Sequence, residues 1–125
     1  VKNHGDLTPA QWDQLRRLID AASLAWRSPD QGIWEVRTPG RVFTYSAAVC
    51  QVALDRGALM AERFGFEGDI AGWRRAAGEI RDAILHEAWD DEERLLTEHL
   101  GGGNADASIL TLPLRRVVPA THPRM

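Results

Sequence analysis

The chain has 125 residues, 44% of them apolar, one cysteine, and a net charge of −3 with acidic and basic residues interleaved. That apolar content supports one packed domain or part of a larger one and excludes disorder, while the mixed charge argues against a nucleic-acid or membrane partner. Cys50, beside Ala48, Val49 and Val52, allows no internal disulfide or thiolate metal cluster and reads as a small core residue rather than a nucleophile. No apolar run reaches membrane-spanning length and no signal peptide is visible, so the expectation is a cytoplasmic protein. The chain opens at Val1 without an initiator Met, which is expected of a processed, trimmed or fragmentary chain.

The first predicted helix, about 8–26, begins at Thr8-Pro9, a cap residue followed by proline at the first helical position. Trp12, Leu15, Leu18, Ile19, Ala22 and Trp26 share one face, and Asp13, Arg16, Arg17 and Asp20 the other, so the helix is amphipathic. A long loop from about Arg27 to Thr44 follows, and within it Gly32-Ile33-Trp34-Glu35-Val36-Arg37 sets one carboxylate beside an indole. A glutamate packed on an indole face is partly desolvated, which favours its protonated form and suits it to give a proton to a leaving oxygen. A lone loop glutamate is otherwise an ordinary solvated group.

The second helix, about 45–64, is expected to stop at Gly65. Its first half, Ala47 to Leu54, is nearly apolar all round and is expected to be buried on several sides. The third, about 69–89, places Ile70, Trp73, Ala77, Ile80, Ile84 and Ala88 at helical spacing opposite Arg74, Arg75, Arg81 and Asp82. Gly72 and Gly78 interrupt it, as expected where helices approach closely. Asp90-Asp91-Glu92-Glu93 lacks the alternating oxygen ligands and sharp-turn glycine of a calcium loop and reads as a solvated turn. Gly101-Gly102-Gly103 reads as a flexible hinge, since no Lys-Ser/Thr follows to make a phosphate cradle. The fourth helix, about 106–118, is expected to be capped by Asp106, apolar all round, and bent or ended by Pro113. His4, His86, His99 and His122 are scattered without ligand spacing, so no metal is expected.

Half-wet helices alternate with dry ones, and long connections alternate with a short one. That pattern predicts two layers of helices, outer covering inner, with both long loops at the end where inner helices begin, the usual place for function. Two such hairpins leave inner faces bare, so the chain reads as a fragment.

Trp26-Arg27-x-Pro29-Asp30-x-Gly32-Ile33-Trp34-Glu35-Val36-Arg37, then Phe43-Thr44-Tyr45-Ser46, resembles bacterial members of glycoside hydrolase family 15, the glucoamylase- and trehalase-like enzymes. Val52-Ala53-Leu54-Asp55-Arg56, Ala61-Glu62-Arg63-Phe64-Gly65 and Asp106-Ala107-Ser108 extend the resemblance over nearly the whole chain from about Trp12. It implies an all-α fold, helical hairpins forming part of an (α/α)6 toroid, and an inverting hydrolase of α-glucosides such as maltooligosaccharides or trehalose, with no cofactor. Glu35 then corresponds to the general acid. The base and an Arg-Asp pair gripping the sugar belong to other segments of the family's domain, so the remaining part of the catalytic domain is an expected partner.

Around Glu35 the candidate substrate-binding residues are Trp34 as an apolar wall for a sugar ring, Ile33 beside it, Arg37 toward a sugar hydroxyl, and Tyr45 at the inner-helix start. The bland readings are a loop Trp anchored in the core, a solvent-facing Arg and a Tyr packed at a helix start. Relatives commonly carry a Lys where this chain has Ala47, a Trp at Gln51 and a His at Val42. The competing reading is a non-catalytic or degenerate helical module that binds partner chains through its exposed inner helices.

Overall fold

The computed structural model describes residues 6–35, 37 and 39–125. His4 and Val36 lie outside them. Helix α1 (Pro9–Ala25) opens with a capping box: the Thr8 hydroxyl accepts from the Gln11 N–H at 3.2 Å, and the Gln11 side chain accepts from the Thr8 N–H at 2.9 Å. Of its apolar face only Trp12 and Ile19 are buried, and Leu15 and Leu18 are exposed, which narrows the expected stripe. Trp12 and Ile19 lie two turns apart on one line facing α2 (Thr44–Phe64) and α3 (Ile70–Glu87), whereas Leu18 sits about 120° round the helix from Trp12, beyond the reach of either.

Three tryptophan contacts hold α1 down. Trp12 stacks on Phe66 with ring centres 4.7 Å apart and donates through Nε1 to the Glu67 carbonyl at 2.9 Å. Fully buried Trp73 donates through Nε1 to Asp20 Oδ1 at 2.8 Å, so the large ring enters the core with its polar edge satisfied.

Helix α2 ends at Gly65, whose φ of 69° and N–H bond to the Ala61 carbonyl make a left-handed cap. It buries Ala47, Ala48, Gln51, Leu54, Ala58 and Ala61 against α1 and α3, but Val49, Leu59 and Phe64 are exposed. The close helix approach lies at Gly57, not at the two glycines of α3. A Cβ at Gly57 would come within 2.5 Å of Ile19 Cδ1, whereas one at Gly78 would meet open space, and Gly72 presents its N–H to the capping carboxylate of Asp69 at 3.0 Å.

After α3 the chain forms a small hairpin, β1 (Trp89–Asp90) antiparallel to β2 (Leu95–Leu96). Its turn is the acidic run: Asp90 Oδ1 accepts from the N–H groups of Glu92 and Glu93, both at 2.9 Å, and Arg94 takes a φ of 55°. The strand pair is an addition to an otherwise all-α class.

The expected helix over 106–118 is not continuous. Ala107–Leu110 form a 3-10 turn and Thr111–Leu114 a single helical turn, α4. Pro113 has no N–H to extend an α ladder, the Thr111 hydroxyl donates to the Ser108 carbonyl at 2.6 Å, and Arg116 turns left-handed at φ 61°. Burial is kept without the helix, since Leu112, Val117 and Val118 all reach the core. Among the described residues no helix is long and apolar enough to cross a membrane.

Candidate active site

The first long loop is closed at its base by a backbone pair between Asp30 and Arg41, with N–H to carbonyl distances of 2.8 and 3.0 Å. Asp30 Oδ1 accepts from the Gly32 N–H at 2.8 Å. Gly32 has a φ of 69°, and a Cβ there would meet the Phe43 ring at 3.0 Å, so glycine is required both by conformation and by space. Residues 32–35 then turn back, with the Glu35 N–H donating to the Gly32 carbonyl at 3.3 Å and Glu35 itself at a φ of 49°. A left-handed non-glycine residue costs about 1 kcal/mol and is held only where its surroundings impose it.

The second long loop interlocks with the first. The Thr44 N–H donates to the Glu98 carbonyl and the Leu100 N–H to the Val42 carbonyl, both at 2.9 Å, while the Phe43 ring stands edge-on to His99. The Thr44 hydroxyl donates to the Thr97 carbonyl at 2.7 Å and the Thr97 hydroxyl to the Ala88 carbonyl at 2.9 Å, both buried. The two loops therefore meet at one end of the helices. Gly101, first of the glycine run, donates its N–H to the Glu87 carbonyl at 2.8 Å.

A side-chain bond also joins them. Trp34 Nε1 donates to Asp106 Oδ2 at 2.8 Å, while Asp106 Oδ1 accepts from the Ser108 N–H at 2.6 Å. Burial opposes ionisation of Asp106, but the bonds from Ser108 and Trp34 outweigh it and hold the carboxyl below its ordinary range. Sequence reading assigned Asp106 a capping role. Its bond to Trp34, 72 residues away, carried no local signal.

Glu35, Trp34 and Ile33 sit together on the turn, all exposed. Glu35 is solvent-exposed, and the N–H edge of the neighbouring Trp34 indole is bonded to Asp106. Arg37 is exposed as well. Tyr45 is engaged elsewhere: its hydroxyl accepts from Arg115 Nη2 at 3.1 Å, and the guanidinium carbon lies 5.6 Å from its ring centre. Two of the three departures are interior, Ala47 and Gln51 being buried, and Val42 offers its carbonyl to the second loop. Half-buried Cys50 has its thiol pushed up by burial, with the Asp30 charge adding to the effect. The motif's flanks are used structurally, Arg27 pairing with Glu87 and lying 4.4 Å above the Trp26 ring. Among the described residues no three His, Cys, Asp or Glu side chains gather as a metal site.

The family model for glycosyl hydrolases family 15 matches residues 1–125. A trehalase of Mycobacterium tuberculosis is 43% identical over 114 residues, covering 91% of this chain and 17% of the relative. A trehalase of Mycolicibacterium smegmatis is 38% identical over 125 residues, 100% of this chain and 19% of the relative. One from Thermoplasma volcanium is 29% identical over 120 residues, 96% of this chain and 19% of its own length. The chain thus spans less than a fifth of these relatives. No solved structure matches it significantly. With the family model covering every residue, the chain belongs to glycosyl hydrolases family 15, and its helical hairpins are a part of that family's (α/α)6 toroid.

Proposed function

We propose that this chain is the acid-bearing segment of an inverting α-glucosidase whose substrate is trehalose or a related α-linked glucoside. The observation that carries the reading is the similarity to trehalases over nearly the whole chain, which includes the Gly32–Arg37 motif. Glu35 serves as general acid: it protonates the glycosidic oxygen as the bond to the anomeric carbon breaks. A water, activated by a second carboxylate roughly 6.5–9.5 Å away, attacks from the opposite face. By family resemblance that base comes from a later segment of the domain. Trp34, more than half exposed on the same turn, is accessible as an apolar wall for the glucose ring.

In the full-length protein carrying this segment, Glu35→Gln lowers trehalose hydrolysis about 10²–10⁴-fold while sugar binding persists, since the amide keeps the shape and loses the proton. Undiminished hydrolysis by that variant refutes the assignment.

A helical module that binds partner chains is favoured by one observation: Leu24 and Leu114 are 86% and 83% exposed, and Leu18 and Leu110 are exposed too. Partner contact would bury such side chains. A full-length protein that binds no α-glucoside and hydrolyses none would favour that module over the enzyme.

A further inference from the structure

We propose that Asp106 is a positioning residue for the acid turn, acting through the Trp34 indole; the role rests on the reading of Glu35 as general acid. The turn over residues 32–35 is tied at two levels. At its base the Asp30–Arg41 backbone pair and the Asp30–Gly32 bond fix where it leaves the fold. Toward its tip, Ile33, Trp34 and Glu35 are exposed, so core packing contributes little there. The turn's own closing bond, Glu35 N–H to Gly32 carbonyl, is long at 3.3 Å. The Trp34–Asp106 bond at 2.8 Å is the stronger restraint, and it reaches across to the second loop.

The acceptor is itself rigid. Asp106 uses one oxygen for each partner, Oδ1 for the Ser108 N–H and Oδ2 for Trp34, and the first bond anchors the carboxylate to the 3-10 turn behind it. A residue adjacent to Glu35 in sequence is thus held by a group built into the core-facing turn 107–110, where Ser108 and Ile109 are buried. Glu35 follows Trp34 directly, so pinning the indole to the second loop also restrains the backbone from which the Glu35 carboxylate projects. Misplacing an acid by about 1 Å costs on the order of 10²-fold in rate.

The two-oxygen arrangement supplies a clean test. An asparagine has one acceptor oxygen, and at a cap it serves as well as aspartate, so Asp106→Asn keeps the Ser108 bond and turns an N–H₂ toward the Trp34 N–H. Trp34→Phe removes the same bond from the other side and leaves the cap untouched. Both variants, their double and Glu35→Gln are assayed for trehalose hydrolysis in the full-length protein. Asp106→Asn is expected to lower kcat about 10–100-fold with KM within about threefold, and the double variant to match Trp34→Phe alone in kcat. Losses that multiply in the double variant overturn the proposal. So does full kcat in either single variant; if Asp106→Asn does not fold, Asp106→Ser takes its place, since it keeps one capping oxygen for the Ser108 N–H and loses the acceptor for Trp34. An inactive Glu35→Gln with a fully active Asp106→Asn removes the positioning role only. An active Glu35→Gln removes the acid assignment, and this role with it.

Discussion

Arg27 and Glu87 face each other across the C-terminal ends of α1 and α3, the guanidinium donating to both carboxylate oxygens at 3.0 and 2.7 Å. The bond from Arg27 outweighs partial desolvation and holds the Glu87 carboxyl below its ordinary value of 4.5, while the bond from Glu87 raises Arg27. Both side chains are about half exposed, so solvent screening limits the pair to less than about 1 kcal/mol. A depressed carboxylate contributes stability that is complete above its unfolded value and lost as pH falls through the native one. Glu87→Gln is therefore expected to lower the unfolding free energy by up to about 1 kcal/mol at pH 7 and low salt. The gap to wild type closes on acidification below 4.5, as read by urea titrations at several pH values.

Gly57 and Gly78 should respond to alanine in opposite directions. At Gly57 the added methyl runs into Ile19 Cδ1 where α1 and α2 approach, and overpacking costs about 1–3 kcal/mol. At Gly78, exposed on α3, nothing stands in the way, and Ala gains about 0.5–1 kcal/mol from helix propensity. Chemical denaturation of the two variants measures both signs. A stabilised Gly57→Ala would contradict the close approach.

Cys50 is expected to label slowly. Its thiol is half-buried and burial keeps it protonated above the ordinary range, so at pH 8 a water-soluble disulfide reagent should react roughly tenfold or more slower than with a free thiol. Labelling that reaches the free-thiol rate in urea locates the protection in the fold.

The 125-residue chain alone should release no measurable glucose from trehalose. In the proposed division it holds the acid, and the base belongs to another segment of the domain. A proton donor without a base to activate water forfeits about 10²–10⁴-fold, and the open face at Glu35 forfeits further transition-state stabilisation. Glucose release by the purified chain at a rate matching the full-length protein would disprove the division of the acid and base between segments.

Several boundaries were legible in the sequence because short-range chemistry sets them. Thr8 caps α1 with Gln11 three residues on, Gly65 supplies a left-handed stop, Asp69 caps its own third residue, and Asp90 closes the acidic turn with its neighbours. The Gly32–Arg37 motif was legible for the same reason, as a local run of residue types. The fourth helix misled because its apolar pattern reports burial, and Leu112, Val117 and Val118 are buried in a short turn and irregular chain just as well.

The sequence by itself determined the caps and stops of the first three helices and which family the chain resembles, since these depend on residues within a few positions of each other. The tertiary structure alone decided that Leu18 faces solvent, that Gly57 admits Ile19, and that Trp34 turns its indole N–H to Asp106. Those contacts join residues 38 and 72 positions apart in the two pairings, and which partners meet is settled only when helices pack and loops interlock.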